Sequence, residues 1–158
     1  MPRVTSLPST LDDDLARSMG AAELHCKAKG ASFTAIRRSV LELLYKAPAG
    51  LKAYDLLDQV KTFKAGATPP TVYRALDFLI ELGLVHKVSK ANVFRACSLG
   101  CHDHAHPGLF LVCPKCNTVE ELDDEDATAM LVNRLNSRGY TLASEEIEVS
   151  ALCPACKA

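Results

Sequence analysis

Cys113-Pro-Lys-Cys116 and Cys153-Pro-Ala-Cys156 are two matched CxxC pairs that use four of the seven cysteines in this chain. A two-residue spacer lets one tight turn present both sulfurs to a single ion while its backbone N–H groups point at the thiolates. Two such turns complete a tetrahedral four-sulfur shell, which suits zinc. A lone CxxC is equally a redox pair, and labile disulfides or an iron–sulfur cluster are the competing uses of four cysteines. Two knuckles in a small chain point to structural zinc. A closed shell of this kind holds a fold together, so the function has to be carried by other residues.

The elements that position these groups come from a chain of 158 residues, 48% hydrophobic and 23% charged, enough for two small domains or one medium one. No basic segment followed by an apolar run opens the sequence, and no run approaches 18 apolar residues. The expectation is a cytoplasmic protein with no membrane partner, where cysteines ligate metal instead of forming a disulfide framework. The net charge of −1 hides an asymmetry. Residues 1–96 carry 14 Lys+Arg against 9 Asp+Glu, or +5, and residues 97–158 carry 4 against 10, or −6. A basic half gains from phosphate contacts, whereas an acidic half is repelled by a duplex and should face away from it.

Periodicity predicts helices over about 11–28, 34–45, 53–63 and 68–82. Thr68 is the N-cap of the last, Pro69 its first residue, and Val72, Ala75, Leu76, Leu79 and Ile80 its buried stripe. After Gly83 the period falls to two, and Leu84, Val85 and Val88, then Val93 and Phe94, predict a short hairpin. Helices followed by a hairpin form a winged helix-turn-helix, whose last helix enters the major groove. Arg74, near the start of that helix, could bind guanine bidentately. Thr71, Tyr73, Tyr54 and the wing residue Lys87 could reach phosphates or bases. In the acidic half, strands at 109–112 and 119–122 flank the first knuckle, a helix covers 124–138, and Ile147, Val149 and Ala151 alternate into the second. Some 50 residues of this kind bury little surface alone, so zinc and a partner subunit are the expected supports. The fold class is therefore α+β, with a winged-helix domain over 1–96, a hinge over 97–107 and a zinc-stabilised dimerisation domain over 108–158.

Ala53-Tyr-Asp-Leu-Leu-Asp58, Pro69-Pro-Thr-Val-Tyr-Arg-Ala-Leu-Asp-Phe-Leu79 and Gly83-Leu-Val-His-Lys-Val88 resemble the ferric uptake regulator (Fur) superfamily, and its zinc uptake regulator branch in particular. The resemblance runs over nearly the whole chain, both knuckles included, but not over the residues before Leu11. It implies a homodimeric, metal-responsive repressor that binds double-stranded operator DNA and takes no small-molecule substrate other than a metal ion. It also places an exchangeable sensor zinc at His86, Cys97, His106 and Glu121, making two zinc ions per subunit. One sulfur, two imidazoles and a carboxylate suit zinc, and the thiolate argues against manganese or ferrous iron. Cys101, His102 and His104 could supply a third ion or replace one ligand, the plainer reading being a polar loop. Cys26 reads as a packing residue. Catalysis is not expected, because the H-x-E…P-C-x-x-C, G-x-S-x-G and Gly-rich phosphate patterns are all missing. The alternatives are an iron-, manganese- or peroxide-responsive regulator of the same superfamily.

Overall fold

The computed structural model describes residues 9–97 and 107–157. Cys101, His102, His104 and His106 therefore lie outside the described residues. Helix α1 (Ser9–Ala28) buries Met19, Ala22 and Cys26, so Cys26 is a packing residue as its sequence context predicts. Gly30, at φ 66°, supplies the left-handed turn that ends it. Helices α2 (Ala35–Tyr45), α3 (Ala53–Lys61) and α4 (Pro69–Glu81) follow at the predicted places, each with one apolar stripe. Leu41, Leu44, Leu56, Leu76, Leu79 and Leu84 are fully buried where these stripes meet. At about 1.5–3 kcal/mol for each buried leucine, this three-helix contact dominates the stability of the N-terminal half.

The wing is the antiparallel pair β1 (Val85–Val88) and β2 (Val93–Ala96), with Val85 opposite Ala96 and Val88 opposite Val93. Asn92, at φ 53°, takes the left-handed position in the turn between them. One partner was not legible locally. Leu51 bridges Phe94, donating to its carbonyl at 3.0 Å and accepting from its N–H at 2.8 Å, so the segment before α3 forms a third rung of the wing. Gly50 makes this approach possible. Its φ is +85°, and a Cβ there would lie 2.8 Å from Val93 Cγ2 and 3.0 Å from the Phe94 carbonyl oxygen.

A second sheet has the order β4-β3-β5, built from β3 (Gly108–Val112), β4 (Val119–Glu121) and β5 (Glu146–Ser150). β3 runs antiparallel to β4 and parallel to β5. The parallel pair needs a crossover, and α5 (Glu125–Asn136) provides it, capped by the Asp124 carboxylate accepting from Ala127 N at 2.8 Å. The helix thus starts one residue after the predicted 124, because Asp124 is its cap and not its first turn, and it ends at Asn136, two residues before the predicted 138. A four-residue helix, α6 (Pro154–Lys157), carries the second knuckle.

The two halves share a core. Val88 and Ala91 of the wing pack with Phe110, Val112 and Val119 of the second sheet, with Val93 alongside. By contrast, α5 buries only Thr128, and Met130, Leu131, Tyr140, Val149 and Leu152 stay exposed.

Gly50→Ala should destabilise the N-terminal half by at least about 2 kcal/mol, because both its backbone conformation and the space beside Phe94 exclude a side chain. Denaturant unfolding checks this. An unchanged midpoint would mean that the Leu51 rung contributes nothing to the wing.

Candidate metal centres and nucleic-acid interface

The first knuckle follows β3 directly. Cys113 N donates to Thr118 O and Asn117 N to Cys113 O, both at 2.9 Å, and Asn117 takes φ 58° to close the turn. The second follows β5, with Cys156 N bonded to Cys153 O at 2.9 Å in the first turn of α6. Because β3 and β5 are parallel, with Val112 paired to Ser150, their C-terminal ends deliver both knuckles to one place. The four sulfurs lie within 4.8 Å of one another, and Cys116 and Cys153 are 3.7 Å apart. That spacing is far from the ~2.05 Å of a disulfide. It matches the edge, about 3.8 Å, of a tetrahedron with ~2.3 Å metal–sulfur bonds.

Protonation in the quartet is split. Backbone N–H groups of Cys153 and Cys116 pull the Cys113 thiol down to about 6, and the Thr118 hydroxyl and N–H lower Cys116. Cys156, hydrogen-bonded to the sulfurs of Cys153 and Cys116, is pushed up to about 12. Four thiolates cannot ionise together in so small a space without a cation. A divalent ion supplies that charge, and the donor set fits zinc.

The second cluster joins the wing to the sheet. His86 sits on β1, Cys97 N continues the wing by bonding Leu84 O at 2.9 Å, and Glu121 ends β4. One ligand atom from each falls within 4.8 Å of the other two. His86 and Cys97 are buried and Glu121 is half-buried. The His86 ring lies 5.3 Å from the Phe110 ring, and its Nδ1 is 3.5 Å from Glu146 Oε1. Burial opposes a charged imidazole here, but hydrogen bonds that the protonated ring donates to Cys97 and Glu146, with the charges of Cys97 and Glu121, outweigh it and raise His86 to about 9. Nitrogen, sulfur and carboxylate oxygen in one buried spot again fit zinc; of the expected ligands, His106 lies outside the described residues.

On α3 and α4, Tyr54, Tyr73 and Arg74 are exposed, Tyr54 by 70% and Tyr73 by 44%. Lys87 is exposed on the wing, its ammonium 5.8 Å from the Phe94 ring centroid. Thr71 has a structural part as well. It is half-buried, and its hydroxyl closes a capping box, 3.3 Å from Thr68 N and 3.0 Å from Thr68 Oγ1, so it serves first to start α4.

Sequence reasoning missed three residues between the halves. Arg95 reaches Val119 O at 3.4 Å, Glu146 reaches His86, and Glu148 bonds backbone amides of the wing turn. The available signal was the spacing of Glu146 and Glu148, which puts both on one face of a strand.

The ferric uptake regulator family model matches residues 28–150. The chain belongs to that family. Within it, the chain is similar to the zinc uptake regulation protein of Escherichia coli (strain K12), 36% identical over 138 residues that cover 87% of this chain and 80% of that protein. A solved zinc uptake regulator complexed with zinc and DNA superposes with a TM-score of 0.76 at 34% identity, covering 95% of this chain and 97% of that one. The crystal structure of holo XcZur gives 0.73 at 39% identity, covering 88% and 96%, and that of apo XcZur gives 0.54 at 41% identity, covering 92% and 99%. At nearly equal identity, this chain superposes better on the holo than on the apo structure.

A proton held on His86 to about pH 9 has to leave before the ring can ligate. Zinc affinity at the His86 cluster should therefore weaken as pH falls below 9, by about tenfold for each pH unit between 8 and 7. Chelator competition at several pH values measures it. A flat profile would mean that His86 is not displaced from its proton by the ion.

Proposed function

We propose that this chain is a zinc-responsive transcriptional repressor that binds a pseudo-palindromic operator as a cytoplasmic homodimer. Residues 1–96 form the DNA-binding domain, 97–107 the hinge and 108–158 the dimerisation domain. Zinc at Cys113, Cys116, Cys153 and Cys156 maintains the dimerisation domain. Zinc at His86, Cys97, Glu121 and His106 fixes the winged helix relative to it. The observation that carries this reading is the convergence of His86 and Cys97 from the wing with Glu121 from the second sheet. An ion bound there discriminates between domain arrangements, because only one arrangement offers it all its ligands.

The basic half then presents α4 to the major groove, with Arg74 at a base edge and Tyr54, Tyr73 and Lys87 beside it. Two recognition helices in successive grooves would sit about 34–36 Å apart. The exposed apolar residues of α5 and β5, with β5 at the sheet edge, support dimerisation through this surface. The similarity to a zinc uptake regulator solved with zinc and DNA supports both partners.

The two centres should differ in consequence. Cys113→Ser or Cys153→Ser should yield monomeric or poorly folded protein, since structural zinc contributes folding free energy. Cys97→Ala or His86→Ala should leave a folded dimer that no longer responds to zinc. A duplex selected from a random-sequence pool by the zinc-loaded chain serves as probe, titrated in parallel with zinc, ferrous iron and manganese and after mild peroxide. A response to iron or manganese at least as strong as to zinc, or loss of zinc and DNA together on oxidation, would replace this reading.

Arg74→Ala should cost about 1–3 kcal/mol on that duplex and relax preference at one base pair per half-site. Lys87→Ala should weaken all sequences alike and flatten the salt dependence. Competition with a base-swap series at two salt concentrations separates the roles. Uniform weakening by Arg74→Ala would make it a backbone clamp.

A further inference from the structure

Strand β5 touches the wing at a point that none of the metal ligands occupies. Glu148 Oε1 accepts the backbone N–H of Ser89 at 2.7 Å, and its Oε2 accepts that of Lys90 at 2.8 Å. Both donors belong to the turn between β1 and β2, closed by Asn92 N bonding Ser89 O at 3.1 Å. One carboxylate thus caps a turn 58 to 59 residues away in sequence. Two residues earlier on the same strand face, Glu146 reaches His86.

Beneath these contacts the wing rests on apolar residues, Val88 and Ala91 against Phe110, Val112 and Val119. Apolar packing is non-directional and permits sliding. Two charge-assisted hydrogen bonds from one side chain permit a single register. That register governs the metal cluster, because His86 lies three residues before Ser89 on β1 while Glu121 belongs to the other sheet. A slide of the wing separates them.

We propose that Glu148 is a latch between the two halves, a positioning residue that selects the docked arrangement of the winged helix in which the sensor ligands converge. The inference rests on the metal-responsive reading above and gives that site a regulatory part outside the ligand set. The latch acts on the equilibrium between docked and undocked forms. Weakening it lowers the fraction of chains competent for zinc, and excess zinc restores that fraction by mass action.

Glu148→Gln, nearly isosteric, removes the charge and sets an amide against the two N–H groups; Glu148→Ala provides a second variant. Glu145→Gln, an exposed neighbour with the same charge change, is the control. Zinc titration of binding to the selected duplex should move to about tenfold higher zinc in both Glu148 variants, with the affinity at saturating zinc and the dimer unchanged. The control should match the parent chain. With zinc retained at the four cysteines and removed from the sensor site by a mild chelator, amide exchange at Ser89 and Lys90 should accelerate by about tenfold in the Glu148 variants only. An unchanged zinc midpoint, a loss confined to the affinity at saturation, or unchanged exchange at those two amides overturns the latch. If the parent chain itself shows no zinc dependence, the function proposed above fails, and the exchange measurement alone then decides whether Glu148 holds the wing.

Discussion

Everything in the C-terminal half depends on two parallel strands ending side by side. α5 buries a single residue, Thr128, and the three strands contribute a core of Phe110, Val112 and Val119 that is completed only by the wing. Such a small sheet has little hydrophobic stabilisation of its own. What it has is geometry. β3 and β5 place Cys113 and Cys153 beyond adjacent strand ends, and four sulfurs gather at separations where all four can ionise only around a cation. Hydrogen bonds to the neighbouring sulfurs favour the protonated form of Cys156, and a divalent charge among the sulfurs would favour the thiolate instead. Loss of that ion would therefore undo strand pairing and, through the shared core, the seat of the wing.

The same sheet sets the second cluster at a junction instead of inside one unit. β1 contributes His86, the residue after β2 contributes Cys97, and β4 contributes Glu121. His86 and Cys97 are buried there, and one ligand atom from each of the three residues lies within 4.8 Å of the other two.

Much of this was legible in the residues themselves. Apolar periodicity located α2, α3 and α4, the change to period two after Gly83 located the wing, and the CxxC spacing located the four-sulfur cluster. These signals are local, since each is set by neighbours within a turn or a strand. The misses were nonlocal. Nothing near Leu51 announces a rung on Phe94, and nothing near β5 announces that it lies parallel to β3. The roles of Glu146 and Glu148 have no local signal because their partners, a buried imidazole and two backbone amides, lie about 60 residues earlier.

The distance along the chain between the two knuckles also bears on how the protein is made. Cys116 precedes Cys153 by 37 residues. At about 5–20 residues per second, a ribosome leaves the first knuckle waiting a few seconds for the second. During that interval Cys113 and Cys116 are an unpartnered dithiol, open to oxidants and to any thiophilic ion that two sulfurs can hold. The helical half, built from local contacts, can fold in far less time. Each new copy thus passes through a stage in which its helices are formed and its four-sulfur cluster is not, and the ion its first knuckle meets is chosen by the composition of the surroundings at the moment of synthesis.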